Sequence, residues 1–273
     1  MGKPMFIGDV IRSLDNGEFV CRYGGYTIYS AYQPIYRCTG QKSLEFVGLE
    51  GLIRPYVDDV SITPSLLYQQ TDVTDAWYVD GMCTTLHIRN FQAAMPAQCD
   101  LYLTVNPASY PSLQLLKAEF NQLLGRLEVN DISPGSIVLE VFETEPCCPQ
   151  ILTWLRAFAH DHGLKFAMDD FGHGKSNWQR YQMLNPDMVK VDGQKFALGK
   201  PAMRGADDLA AMIKRVHQDG GEVVIEGIDT SAMLSKAVEL NADLLKGNYL
   251  DLLDEQSDKM TGSFAPVSSV LVH

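Results

Sequence analysis

The chain has 273 residues, 46% hydrophobic and 21% charged, which suits one large α/β domain or two smaller ones. Its net charge of −12 argues against a basic nucleic-acid-binding surface, and an anionic substrate would need bound cations. The 6 cysteines show no CxxC spacing, which is typical of reduced thiols in a cytoplasmic protein. No stretch approaches the roughly 18 apolar residues of a spanning helix. We therefore expect a cytoplasmic protein with neither DNA nor membrane as a partner.

The chain then alternates between strand-like and helix-like segments. An N-terminal extension over residues 1–26 reads as an extra hairpin or a lid, with a turn at Tyr23–Tyr26. Period-2 and β-branched patterns predict strands over Thr27–Tyr36, Glu45–Arg54, Asp100–Asn106, Ile137–Glu143, Lys165–Phe171, Met188–Asp192, Glu222–Ile228 and Leu244–Leu250. Helical spacing predicts helices over about Ser65–Phe91, Leu113–Leu124, Pro149–His162, Trp178–Met183, Ala206–Gln218 and Ser231–Leu240.

This order predicts an α/β fold, a single (β/α)₈ TIM-like barrel over residues 27–255 with a tail over 256–273. An open doubly wound sheet is the alternative. That fold would want a glycine-rich phosphate loop after its first strand, and Gln33-Pro34-Ile35 does not provide one.

One stretch, FAMDDFGHGKSN at residues 166–177, carries the strongest chemical signal. An apolar strand runs into Asp169 and Asp170, and burying two unpaired carboxylates would cost several kcal/mol. A cation is therefore expected beside them. Gly172 and Gly174 allow the following loop to approach it closely.

Further polar residues fall late in, or just after, the predicted strands, where barrel enzymes place their chemistry. Oxygen ligands without His or Cys suit Mg²⁺, Mn²⁺ or Ca²⁺, and this many acids would balance two such ions. Such a centre suits phosphodiester hydrolysis, with Lys190 holding the attacking water and Arg54 binding a phosphate oxygen. The set comprises Glu50, Asn106, Glu140, Glu143, Asp169, Asp170, Lys190, Asp192, Glu226, Asp229 and Lys246.

These residues resemble the EAL-domain family of cyclic di-GMP phosphodiesterases. The resemblance runs from about Tyr32 to Leu250, and its motifs together are far more specific than any one alone. The matching pieces, in order, are Gln33–Ile35 (QPI), Glu50–Arg54 (EGLIR), Val105–Asn106 (VN), Leu139–Glu143 (LEVFE), Asp169–Gly174 (DDFGHG), Lys190–Asp192 (KVD) and Glu226–Ile228 (EGI).

The resemblance implies roles for these residues in opening cyclic di-GMP to linear pGpG with two Mg²⁺ or Mn²⁺ ions. Glu50, Asn106, Glu140 and Asp169 would hold one ion, and Asp169, Asp170 and Glu226 the other. The catalytic set would be Glu50, Asp170, Lys190 and Glu226; Arg54, Gln33, Lys246 and Asp192 would contact the substrate; and Glu143 and Asp229 would stabilise the loop after Asp170.

Several positions depart from the family pattern without removing a proposed ligand. Gly51 replaces the signature alanine, which we expect to be tolerated, and Lys246 replaces a glutamine near the water. Such changes around a site typically reduce activity about 10–100-fold rather than abolish it, so we expect a working but slow enzyme. The remaining departures are Pro55, His173, Lys175, Asn177 and Asp229.

Two other functions stay open. A cyclic di-GMP receptor or protein-interaction module, with a regulatory partner, is favoured by the altered loop and by Lys246. A metal-dependent lyase of the enolase type would also use strand-end acids and a lysine. The resemblance further implies pairing into a homodimer through barrel helices.

Overall fold

The structure is a computed structural model that describes residues 7–39, 43–94, 99–142, 148–172, 176–194 and 206–251. Its strands are β1 Ile11–Ser13, β2 Phe19–Tyr23, β3 Tyr26–Cys38, β4 Leu44–Val57, β5 Val60–Ser61, β6 Asp100–Val105, β7 Ile137–Val141, β8 Lys165–Met168, β9 Met188–Asp192, β10 Glu222–Glu226 and β11 Leu244–Leu245. Its α-helices are α1 Ile7–Val10, α2 Pro64–Gln70, α3 Ala76–Ala94, α4 Leu113–Val129, α5 Pro149–His162, α6 Trp178–Leu184, α7 Ala206–Gln218 and α8 Ser231–Glu239.

The strands close into the predicted barrel. From β4 through β6, β7, β8, β9, β10 and β11, neighbouring strands pair in parallel, and β3 closes the circle between β11 and β4. Strand β3 is antiparallel to both neighbours. The reason is the connection: β3 and β4 form one long hairpin, whereas parallel neighbours need a crossover helix.

Three predicted segments differ in detail. The stretch Ser65–Phe91 forms two helices, because a turn at Asp72–Thr74 interrupts it: the Thr74 N–H donates to Asp72 Oδ1 at 2.9 Å. The strand predicted for Lys165–Phe171 ends at Met168, so both aspartates follow the strand. The strand predicted for Leu244–Leu250 ends at Leu245, and residues 248–251 form a helical turn instead.

The described part of the N-terminal extension lengthens the sheet. Strand β2 pairs with β1 and with β3, forming an antiparallel hairpin on the barrel's first strand. Val10, Ile11 and Cys21 share one buried cluster with Ile28 of β3 and Leu86 of α3. This burial makes the hairpin part of the core packing between β3 and α3.

A layer of apolar side chains fills the barrel interior below the polar set. These side chains come from the strands around the barrel and form one buried cluster, which closes that end to solvent. The members are Ile35, Tyr102, Val138, Ala167, Met188, Val224 and Leu244, with Val47 of β4 packed against them. In the part of the chain that the structure describes, no helix is long and apolar enough to cross a membrane.

Candidate metal and catalytic site

The polar side chains of the site form the layer of inward-facing residues directly above the apolar layer. Inward-facing side chains recur every second residue along a strand. Two residues beyond Val138, Ala167, Met188, Val224 and Leu244 lie Glu140, Asp169, Lys190, Glu226 and Lys246 respectively. The strand period therefore explains why side chains remote in sequence share one layer.

Lys190 is the hub of this layer. Its ammonium lies 2.5 Å from Glu140 Oε1, 2.7 Å from Glu226 Oε1, 3.4 Å from Glu50 Oε1 and 3.6 Å from Asp169 Oδ1. The side chain is 1% exposed. Carboxylates from β4, β7 and β10 and from the end of β8 thus converge on a single point.

Lys246 supplies a second positive charge to the same group. Its ammonium forms an ion pair with Glu50 Oε2 and lies 2.9 Å from Glu226 Oε1. The Glu226 oxygen is the one that Lys190 also contacts. Lys246 therefore joins the acid cluster itself, whereas the sequence pattern assigned it to the substrate.

Burial sets the protonation of this centre. It raises the pKa of Glu140 to about 7, with Lys190 opposing the rise and Asp169 and Glu226 adding to it. Burial acts to lower the pKa of Lys190, but Glu140, Glu226 and Asp169 together raise it well above its ordinary value. Lys190 is therefore positively charged at neutral pH.

Burial also disfavours the charged forms of Glu226 and Lys246. Burial raises the pKa of Glu226, Lys190 opposes the rise and Asp169 adds to it. Burial lowers the pKa of Lys246 to about 8, with the Asp251 carboxylate opposing that shift. The direct contacts with Glu50 and Glu226 also favour the charged form, so Lys246 is positive at neutral pH.

The donor chemistry of the centre fits hard divalent cations. Both carboxylate oxygens of Glu140 and one of Glu226 are buried without a partner in hydrogen-bond geometry, although the Lys190 ammonium lies close to Glu140 Oε1 and Glu226 Oε1. Carboxylate oxygens of this kind suit Mg²⁺, Mn²⁺ or Ca²⁺. Within the described ranges, however, no three acidic, His or Cys side chains are already arranged to hold a metal, because the acids surround two ammonium groups.

Asp169 and Asp170 begin a tight loop at the rim. The Asp170 N–H donates to Asp169 Oδ1 at 2.9 Å, and Asp170 has a φ of 51°, which is uncommon outside glycine. Ser176 Oγ donates to the Asp169 carbonyl at 2.7 Å, and the Phe171 N–H donates to the Lys190 carbonyl at 2.9 Å. These bonds hold the start of the loop against β9 and orient the Asp169 carboxylate.

Three further predicted site residues lie in or just after strands β4, β6 and β9. Asn106 caps a short 3₁₀ helix, with Oδ1 accepting from the Ala108 N–H at 3.1 Å. Arg54 is exposed and donates to the Ile53 carbonyl at 3.1 Å. Asp192 accepts from the Gln194 N–H at 2.9 Å.

Two more predictions concern the loops. Asp229 accepts from Gln194 Nε2 at 2.6 Å and from Asn248 Nδ2 at 3.0 Å, so it links the loops that follow β9, β10 and β11. Asn177 caps α6, accepting from the N–H groups of the next turn. Glu143, His173 and Lys175 lie outside the described residues.

Sequence reasoning missed Asp251. Gln33, which pairs with Glu50 across β3 and β4, donates to Asp251 Oδ2 at 3.3 Å. Asp251 also acts electrostatically on Lys246. The missed signal is an acid five residues after Lys246, which the predicted strand to Leu250 placed beyond the rim.

Comparison with known proteins shows the family and the fold of the chain. The family profile described as "EAL domain" matches residues 25–251. The chain is 26% identical over 223 residues to the uncharacterized EAL-domain containing protein YkuI of Bacillus subtilis, covering 80% of this chain and 53% of that protein. It is 24% identical over 250 residues to the cyclic di-GMP phosphodiesterase RocR of Pseudomonas aeruginosa, covering 88% of this chain and 59% of the relative. The chain thus spans only between half and three fifths of these relatives.

Solved structures share the fold. The crystal structure of Bacillus subtilis YkuI in complex with cyclic di-GMP and calcium superposes with a TM-score of 0.68 at 24% identity, covering 82% of this chain and 55% of that one. A standalone EAL protein from Vibrio cholerae, in its cyclic di-GMP-bound form, superposes with a TM-score of 0.68 at 17% identity, covering 82% and 91%.

Proposed function

Because the chain belongs to the EAL-domain family, we propose that it is a cyclic di-GMP-specific phosphodiesterase that produces linear pGpG. The single observation that carries the proposal is the convergence of Glu50, Glu140, Asp169 and Glu226 on one buried ammonium. These are the acids to which the family motifs assign metal binding.

The proposed ligands divide between two divalent cations, Mg²⁺ or Mn²⁺. Glu50, Asn106, Glu140 and Asp169 would hold one, and Asp169, Asp170 and Glu226 the other. Two such ions, when bound, lower the pKa of a bridging water and stabilise charge on the attacked phosphate. Burial raises the pKa of Glu140 and of Glu226, and a bound cation would favour the ionised form of both acids.

The protein's own groups would orient water and substrate. Lys190, fixed by four carboxylates, holds a charged donor in the middle of the site and would bind the attacking water. Arg54 is exposed and would donate to a phosphate oxygen of the substrate. Gln33, Asp192 and Lys246 are the other candidates for substrate contact, and Glu143 and Asp229 for holding the loop.

A cyclic di-GMP receptor without turnover is the second candidate. One observation favours it: the Lys246 ammonium contacts Glu50 and Glu226, which the enzyme needs as metal ligands. Family membership leaves no comparable support for a lyase of the enolase type.

The two functions are separated by incubating the purified chain with cyclic di-GMP and Mn²⁺ or Mg²⁺, and measuring nucleotide binding and pGpG together. If the chain is an enzyme, pGpG forms and is detected by ion-exchange chromatography. Saturable nucleotide binding with no pGpG over hours would establish the receptor and refute the enzyme.

A further inference from the structure

Lys246 and Lys190 contact the acid cluster in different ways. Lys190 lies at its centre, within 3.6 Å of all four carboxylates. Lys246 contacts Glu50 and Glu226. In the proposed centre these two acids belong to different metal ions, so the Lys246 ammonium bridges the two metal positions.

The carboxylate of Glu50 shows the conflict directly. Its Oε1 lies 3.4 Å from the Lys190 ammonium and its Oε2 pairs with Lys246. Glu226 Oε1 is shared between Lys190 at 2.7 Å and Lys246 at 2.9 Å. For a divalent ion to take these oxygens, the Lys246 ammonium has to leave them.

The backbone keeps Lys246 at this position. The Lys246 N–H donates to the Ile225 carbonyl and its carbonyl accepts from the Ile228 N–H, both at 3.0 Å. At Gly247 an added Cβ would lie 2.2 Å from the Ile228 nitrogen, so only glycine permits this close approach. Lys246 is 9% exposed, and any rearrangement is therefore confined to its side chain.

Charge leads to the same conclusion. The four carboxylates of the cluster and Asp170, the fifth acid assigned to the metal centre, carry a formal charge of −5, and the two lysines reduce it to −3. One divalent ion would leave −1, whereas a second would leave +1, an excess of positive charge next to Lys246. Like charges within a few ångströms disfavour one another strongly in a buried site.

We propose that Lys246 is a built-in cation that competes with divalent ions for Glu50 and Glu226, so that the centre holds only one ion tightly. The chain then fills one metal position tightly and the other only at much higher metal concentration. This inference rests on the metal centre of the function proposed above. It makes Lys246 a residue that sets the metal requirement of the site.

The test counts metal rather than product. The metal-stripped 273-residue chain is titrated with Mn²⁺, and bound ion is measured by calorimetry and by the loss of the free Mn²⁺ signal in electron paramagnetic resonance. We expect one tight Mn²⁺ per chain, with the second at least about tenfold weaker. Lys246→Gln should bind two with comparable affinity and show the broadened spectrum of a close Mn²⁺ pair.

Two variants control the charge change. Lys246→Arg keeps the cation and should behave as the unmodified chain. Lys214→Gln removes a charge from an exposed position of α7 and should leave uptake unchanged. Circular dichroism and thermal unfolding verify folding, and Lys246→Met replaces Lys246→Gln if the latter does not fold.

Equal Mn²⁺ uptake by the unmodified chain and by the uncharged Lys246 variant, Lys246→Gln or its replacement Lys246→Met, would overturn the inference. No Mn²⁺ uptake by any of these proteins would overturn it as well. The outcome is separable from that of the proposed function. If pGpG forms while Lys246→Gln leaves uptake unchanged, only the competition is wrong. If uptake rises from one ion to two but no pGpG appears, only the enzyme assignment is wrong.

Discussion

At the scale of single residues, Lys190 has the largest effect on the site. It is the one cation within 3.6 Å of all four carboxylates in the described part of the chain. Removing one partner of a buried charge cluster leaves the others uncompensated, which typically destabilises a protein by about 3–5 kcal/mol. The site is thus also a stability element.

We therefore predict that Lys190→Met lowers the free energy of unfolding of the metal-stripped chain by about 3–5 kcal/mol. Urea unfolding in the presence of a chelator measures it. Lys165→Met is the matched control, because the Lys165–Asp100 pair is 37% and 20% exposed and such pairs contribute about 1 kcal/mol or less. Equal losses of unfolding free energy in Lys190→Met and Lys165→Met would show that the Lys190 charge contributes no more to stability than an exposed ion pair.

Lys246 allows a prediction on turnover. If its ammonium competes with metal, Lys246→Gln should raise the rate of pGpG formation at limiting Mn²⁺ by roughly tenfold, the lower end of effects near metal ligands. The gain should shrink as Mn²⁺ approaches saturation, and Lys246→Arg should show none. A Lys246→Gln variant slower than the unmodified chain at every Mn²⁺ concentration would contradict this.

The contact between Gly51 and His87 could not be predicted from the sequence alone. We expected replacement of the family's alanine at this position to be a small change. In the structure, a Cβ on Gly51 would lie 2.9 Å from the His87 ring, so the glycine is required by the histidine. No pattern in the chain links these two positions, which meet only when α3 packs on β4.

Gly51→Ala should therefore destabilise the chain by about 1–3 kcal/mol, the usual effect of overpacking a core. Adding His87→Ala should recover part of the loss, because it removes the ring that meets the new methyl group. Gly25→Ala, where an added Cβ meets nothing within 4 Å, is the control and should be close to neutral. Thermal unfolding of these three variants and the unmodified chain decides; an unaffected Gly51→Ala would refute the steric argument.

At the scale of elements, α3 places a titratable ring in the core. His87 is 5% exposed, its Nδ1 lies 2.9 Å from Ser30 Oγ of β3, and burial lowers its pKa to about 4. A folded-state pKa below the ordinary value near 6.5 means that His87 favours folding above pH 6.5. That contribution is lost as pH falls towards 4.

We predict that the stability advantage of the unmodified chain over His87→Gln shrinks by up to about 3 kcal/mol as pH falls from 6.5 to 4. Urea unfolding of both proteins across this range provides the measurement. Carboxylates titrate in both proteins, so their effect cancels in the difference. A constant difference would show that His87 does not lose a favourable neutral form in this window.

Element boundaries were predictable where a local signal marks them. Helix α5 begins at Pro149 and stops before Gly163, and both ends agree with the predicted helix. The break between α2 and α3 was missed, since it depends on a side-chain turn at Asp72 within continuous helical spacing. Strand β11 was overestimated, because its apolar run continues into a helical turn.

At the scale of the whole molecule, closure of the barrel makes the site. Strand alternation places the acids and lysines two residues above the apolar layer, and that pattern is local. Which acids meet is decided by the circular strand order, including β3 between β11 and β4. The sequence could therefore predict the members of the polar layer. It could not predict that Lys246, which follows β11, would contact Glu50 of β4.

The central claim is that these remote carboxylates form the centre at which cyclic di-GMP is hydrolysed. Its most direct test is the initial rate of pGpG formation, at saturating Mn²⁺, by the unmodified chain and by Glu50→Ala. We predict product from the unmodified chain and at least a 100-fold lower rate from Glu50→Ala. Loss of a residue that supports a metal ligand typically costs about 10–100-fold, and loss of the proposed ligand itself should cost more. No product from the unmodified chain, or equal rates from the two, would contradict the account.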